Sequence, residues 1–273
     1  MVGRKNLLNN MTWARIFMGP ARPGGMLPWP LRALNFLIAL WLIALLFYFS
    51  FQQLNYHWGW PAIYQYRQKF IQGWLTTVWI SLASLALSTC IGLFFATAQR
   101  ARFLPLRYFS KIYVEGVRGT PLLVQILIFF YVVADAFQVS NPYRVGILTL
   151  SFFSGAYIAE IIRAGIESVG QSQLESAQAV GLTNAQTYRY VIFPQALRQS
   201  LPPLAGQFVS LIKDSSLLSI IGISEFTLNA REVNSNTYSA FESYLPLAIG
   251  YLILTLPISL WTRHLEKKHH YQT

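Results

Sequence analysis

LESAQAVGLTNAQTYRYVIFP, residues 174–194, is polar, yet it lies in a chain whose other long stretches are apolar. Ser172-Gln173-Leu174-Glu175 has the spacing of a capping box, in which a serine caps a helix start and a glutamate reaches back to the same turn. Thr183-Asn184-Ala185-Gln186 is a second box, and Gly181 between the two suits a helix C-terminus. The segment therefore reads as a short helix, a glycine turn and a second helix. Tyr188, Val191, Ile192 and Gln195 share one face of that second helix. Pro194 is placed to kink or end it. A surface hairpin with Glu175 as a simple cap and a docking surface for another protein both fit this much.

The flanking sequence decides the setting. Of 273 residues, 54% are hydrophobic and 11% are charged, against roughly 25% charged in a soluble domain. The mean hydropathy is +0.39. No Asp, Glu, Lys or Arg occurs between Arg32 and Arg67, between Lys69 and Arg100, or between Glu242 and Arg263. Each gap holds an apolar run near the ~20 residues that a spanning helix needs. The chain is thus expected to be an all-α integral membrane protein of about six transmembrane helices, near 33–52, 72–98, 113–136, 144–166, 201–221 and 243–262. The first run has no cleavage pattern after it and is expected to be a retained helix. Residues 19–30, rich in proline, are expected to be irregular.

Orientation follows from basic residues. With the N-terminus inside, 16 Lys/Arg fall on the cytoplasmic side and 4 outside, leaving Lys213 within a span. Both termini are therefore expected in the cytoplasm, and so is the polar segment. The net charge of +11 reflects this clustering at span ends, which argues against a nucleic-acid partner. Trp58, Trp60 and Trp74 are expected to be interfacial anchors. Cys90 reads as a packing residue, and no metal cluster is spelled out. Ser84, Ser88, Gly92 and Ala96 recur every four residues, as do Ser151, Gly155 and Ala159. Such stripes let helix backbones approach, either within the subunit or between subunits.

Lys213 and Asp214 are adjacent opposite charges deep in a span, where ionisable groups point to function. Gln207, Ser210 and Asp214 share a face with spacings of three and four. They are candidates to line a solute pathway, with packing against neighbouring helices as the competing role. Ser215 follows them, and Gln125 is a weaker pathway candidate for which an interhelical hydrogen bond is the commoner use. Glu160, Arg163 and Glu167 form a ladder at i, i+3 and i+7, expected to be structural.

Glu175, Ala177 and Gly181 are followed after nine residues by Val191 and then Phe193-Pro194. This pattern resembles the Glu-Ala-Ala (EAA) loop of permease subunits of ATP-binding-cassette importers, with Ser176, Val191 and Phe193 as mild departures. Arg118-Gly119-Thr120-Pro121-Leu122, Ala156-Tyr157-Ile158-Ala159-Glu160, Arg163-Ala164-Gly165 and Lys213-Asp214-Ser215-Ser216-Leu217 resemble the polar amino-acid branch, the histidine/glutamine/glutamate-type permeases. The resemblance implies a five-helix permease core at 70–268 with a cytoplasmic coupling loop at 168–200. An added helix and outer loop at 33–69 and a cytoplasmic segment at 1–32 precede it. It implies uptake of L-amino acids across the inner (plasma) membrane, with Glu175, Ala177, Gly181, Thr183, Tyr188 and Pro194 coupling to an ATPase. The implied partners are two copies of that ATPase, a second permease subunit, identical or homologous, an external solute-binding protein and the surrounding lipid. ATP and magnesium would serve the ATPase, and this chain would bind no cofactor. Consistent with that, it contains no G-x-x-x-x-G-K-[ST] phosphate loop.

Two other classes compete. An autonomous secondary transporter or channel would account for the helices and for Lys213-Asp214, though no inverted repeat is found. An intramembrane enzyme would need converging acids, histidines or an activated nucleophile, and the spans hold none.

Overall fold

The computed structural model describes residues 28–52, 56 and 58–269. The expectations for residues 1–27 and for the tail beyond 269 lie outside the described residues. Two units are distinguished, Met1–Trp58 and Gly59–Thr273. In the first, α1 (Trp29–Gln52) is apolar on every face and buries none of its residues. Trp29 and Pro30 belong to its first turn, where a missing proline N–H costs nothing. Phe51 stacks on Trp58 at 5.7 Å between ring centroids.

The second unit is built around α2 (Arg67–Ala98) and α5 (Pro142–Glu167). The two small-residue stripes meet here, within one chain. Ser84, Ser88 and Ala96 on α2, and Ser151 and Ala159 on α5, are all fully buried. A Cβ at Gly155 would sit 2.6 Å from Ile91 Cγ2, so only glycine lets the two backbones come this close. Ser151 Oγ donates across the contact to the Ser84 carbonyl, 3.4 Å away. Cys90 is exposed, so it is not the packing residue expected. The reason lies in the register. Residues 84, 88, 92 and 96 take the inward face, and residue 90 falls on the outer one.

α3 (Leu104–Arg118) and α4 (Leu122–Ala136) correct the expected third span. They pass the length and hydropathy test together, but a bend of 110° separates them. Pro121 cannot continue the α3 ladder. Gln125 on α4 donates its Nε2 hydrogens to the Val117 and Thr120 carbonyls, at 2.8 and 3.2 Å, and so satisfies the freed end of α3. α3 itself is amphipathic. Ser110 and Val114 face the protein, while Leu104, Tyr108 and Ile112 are exposed.

After α6 (Gln171–Ala179), α7 runs without a break from Asn184 to Ile221. The expected span at 201–221 is only its second half. α8 (Phe226–Thr237) and α9 (Ala240–His269) complete the unit. Trp74 donates its indole N–H to the Gly250 carbonyl on α9, 3.2 Å away, so it ties helices together and is more than an interfacial anchor. Helices α1, α2, α5, α7 and α9 are long and apolar enough to cross a membrane, and the α3–α4 pair raises the number to six if counted as one span. No strand occurs among the described residues.

Candidate functional site

The polar segment folds as two stapled helices. α6 begins two residues earlier than the first capping box requires, because Gly170 occupies the N-cap position with extended backbone. Ser172 and Glu175 therefore lie inside the helix and form no box, a correction to the sequence reading. The Glu175 carboxylate is exposed and, among the described residues, accepts only from the Gln171 side chain, at 3.3 Å. It is free of a capping duty. Ala177 is buried and Gly181 takes φ +82°, in the left-handed region that favours glycine. The Leu182 N–H donates to the Ala177 carbonyl (3.0 Å) and the Gly181 N–H to the Gln178 carbonyl (2.9 Å). This pair of bonds is a Schellman closure.

The second box is present. Thr183 Oγ1 accepts from the Gln186 N–H, and Gln186 Oε1 accepts from the Thr183 N–H. Pro194 neither ends nor sharply breaks the helix. A π-turn at Tyr188–Ile192 immediately precedes it, and the extra residue absorbs the bond that proline cannot make. Gln195 Nε2 donates to Gln173 Oε1, 2.5 Å away on α6, and to the Val191 carbonyl, locking the two helices. Between them lies a shallow cavity of about 390 Å³, floored by Ala177, Leu182 and Val191. Val180 is 76% exposed and Tyr188 43%. The α6–α7 segment thus presents an exposed acid, exposed apolar side chains and a shallow cavity.

Farther along α7, Gln207 donates to Ser154 Oγ on α5 at 3.0 Å and sits half-buried with Ser210. Lys213 is exposed and Asp214 half-buried, and neither forms a salt bridge with another helix among the described residues. Directly after Asp214 the helix tightens into a 3₁₀ stretch, Ser215–Ile221, closed by Gly222 at φ +77°. Ser215 is buried and returns its hydroxyl to the Ile212 carbonyl. Gln125 stands apart from this group, at the α3–α4 bend.

The ladder on α5 is formed. Arg163 holds Glu160 through Nε and Nη2 at 2.8 and 2.6 Å and also pairs with Glu167. The sequence reading missed that Arg118 joins it, 3.5 Å from Glu160 and with its guanidinium over the Tyr157 ring. It also missed Glu225, which is fully buried. Glu225 caps α8 by accepting from the Thr227 and Leu228 N–H groups, each at 2.8 Å, and it accepts from the Tyr251 hydroxyl on α9 at 3.1 Å. Burial pushes its carboxyl above the ordinary 4.5, against the pull of those two backbone donors. The only signal was an acid placed just before a helix that periodicity did not mark.

The family described as binding-protein-dependent transport system inner membrane component matches residues 88–271. The glutamine transport system permease protein GlnP of Escherichia coli (strain K12) is 36% identical over 219 residues, covering 79% of this chain and 98% of that protein. The L-cystine transport system permease protein TcyB of Bacillus subtilis (strain 168) is 38% identical over 194 residues, covering 70% of this chain and 82% of that protein. Among solved structures, a chain of an amino acid ABC transporter with histidines superposes with a TM-score of 0.73 at 34% identity, over 78% of this chain and all of that one. The methionine transporter MetNI in its inward-facing form shares the fold, with a TM-score of 0.59 at 14% identity over 77% of this chain and 99% of that one.

Proposed function

The chain belongs to the family of binding-protein-dependent transport system inner membrane components, as an amino-acid ABC importer permease, and from that premise we propose how it divides the work with its partners. Two ATPase subunits dock on the α6–α7 surface and supply the energy. They bind ATP and magnesium, for which this chain has no phosphate loop. A second permease subunit, identical or homologous, completes the pathway, and an external binding protein delivers a polar amino acid. The membrane is the plasma (inner) membrane, with both termini and the docking surface in the cytoplasm, in keeping with the 16 to 4 distribution of Lys/Arg. An autonomous transporter needs no such docking surface.

One observation carries this reading. The α7 side of the docking surface, with Tyr188 and Pro194, and the candidate pathway residues lie on a single continuous helix, Asn184–Ile221, and Gln195 on that helix is hydrogen-bonded to Gln173 on α6. Glu175, Ala177, Gly181, Thr183, Tyr188 and Pro194 shape the coupling end. Gln207, Ser210, Lys213, Asp214 and Ser215 lie toward the other end, where Lys213 and Asp214 meet the charged ends of the solute. Closure of the ATPase pair displaces α7 and switches access to the pathway. The Glu160–Arg163–Glu167 ladder holds α5 rigid beside it.

Glu175→Arg tests the reading. The variant is expected to reach the membrane at the parental level but to lose most of its co-purifying ATPase. Asp214→Asn is expected to retain the ATPase and lose uptake. Undiminished co-purification with Glu175→Arg, together with a solute-stimulated ATPase rate like the parent's, would count decisively against the docking surface.

A further inference from the structure

A second polar cavity, of about 550 Å³, opens between the end of α2, the length of α3 and the end of α5. Arg100, Arg107, Lys111 and Glu115 line one side of it, and the Glu160–Arg163–Glu167 ladder lines the other. The ladder acids are already engaged by Arg163 and, at Glu160, by Arg118. Arg100, Arg107 and Lys111 have no carboxylate partner among the described residues, so three uncommitted cations face one uncommitted acid. Gln99 lines the same cavity, is only 8% exposed, and its Nε2 has no hydrogen-bond partner. A buried amide donor without an acceptor carries a desolvation cost of about 1–3 kcal/mol. Together these groups ask for an oxyanion.

The adjoining surface says which kind. Arg107, Lys111 and Glu115 follow one another at i, i+4 and i+8 on α3, and the neighbouring stripe, Leu104, Tyr108 and Ile112, is exposed and apolar. Cations on one stripe and bare apolar side chains on the next describe a helix lying at a membrane interface. The 110° bend after it accords with that placement. A soluble anion would leave the apolar stripe unused, whereas a lipid fills both. We propose that this cavity binds the phosphate headgroup of an anionic phospholipid, with Arg107, Lys111, Arg100 and Gln99 as its donors and the acyl chains lying along Leu104, Tyr108 and Ile112. Basic pockets between spanning helices are suited to such headgroups.

The test does not depend on transport. The full chain is placed in nanodiscs of phosphatidylcholine with and without phosphatidylglycerol, released into the gas phase, and scored for retained phosphatidylglycerol by native mass spectrometry. The parent is expected to retain it selectively. Arg107→Gln with Lys111→Gln is expected to lower retention by roughly fivefold per cation removed. Arg102→Gln, between α2 and α3 but outside the cavity, is expected to retain it fully. Equal retention by the double variant and the parent overturns the proposal. Displacement of the lipid by inorganic phosphate, or by a free amino acid, at concentrations that leave the Arg102→Gln and parent proteins folded overturns it as well, and assigns the cavity to a soluble ligand.

Discussion

At the scale of single residues, three carboxylates have three different fates, and each follows from its surroundings. Glu175 stands in solvent with one weak partner, so its charge is available to another molecule. Glu160 is consumed by two arginines. Glu225 is buried with four donors around it, including Thr77 at 3.5 Å, and it joins α2, α8 and α9 at one point. Because burial raises the Glu225 carboxyl, its protonated form is favoured in the folded state. The benefit is fully present below the ordinary value of 4.5 and is lost as pH rises through the folded value. Glu225→Gln keeps an acceptor for α8 and removes the buried charge. Melting of the parent in detergent is expected to drop as pH rises above 4.5 by more than melting of the variant does. Parallel pH profiles for the two proteins would contradict this. Glu175 was legible in the sequence because its spacing to Gly181 and Pro194 is distinctive. Glu225 was not, since burial is a property of the assembled helices.

At the scale of elements, the readings that held were local and those that failed depended on context. The Thr183–Gln186 box and the Gly181 turn involve residues within one turn of each other, so sequence suffices. The Ser172 box failed because Gly170 was equally able to start the helix, and the helix took the earlier start. The third span failed because hydropathy averages over a bend. Leu104–Arg118 and Leu122–Ala136 sum to an apolar stretch, and only Gln125, reaching back to Val117 and Thr120, reveals that the corner is built. The small-residue stripes named the right residues but not their partner, which is the other stripe in the same chain. Gly155→Leu should therefore act on folding of the subunit. Overpacking of this kind costs about 1–3 kcal/mol. A clear fall in the thermal midpoint is expected for Gly155→Leu, and none for Cys90→Leu on the exposed side of α2. An unchanged midpoint for Gly155→Leu would mean that the α2–α5 contact is looser than its geometry implies.

At the scale of the molecule, the order of charged and apolar blocks carried most of the architecture. The five long apolar helices fall where Asp, Glu, Lys and Arg are sparse, because lipid excludes both charge and unpaired backbone, and the clustering of Lys and Arg predicts their orientation. In a Cys90→Ser background, Ser172→Cys on α6 is expected to react with a membrane-impermeant maleimide only in inverted vesicles. Ser235→Cys on α8, exposed beyond the opposite end of α7, is expected to react in intact cells. The reverse pattern would invert the topology. Sequence could not show that α7 is one body. Its 38 residues span ~57 Å at ~1.5 Å per residue, almost twice the ~30 Å hydrocarbon core. A rod that protrudes this far works as a lever: a tilt of ~5° about one end swings the other by ~5 Å. Under the proposed docking of an ATPase at its α6 end, its stiffness would set how much fuel each delivered molecule requires. The π-turn at Tyr188–Ile192 and the Pro202-Pro203 pair are where such a rod gives. Slack at either place would let the motor run while its load stands still.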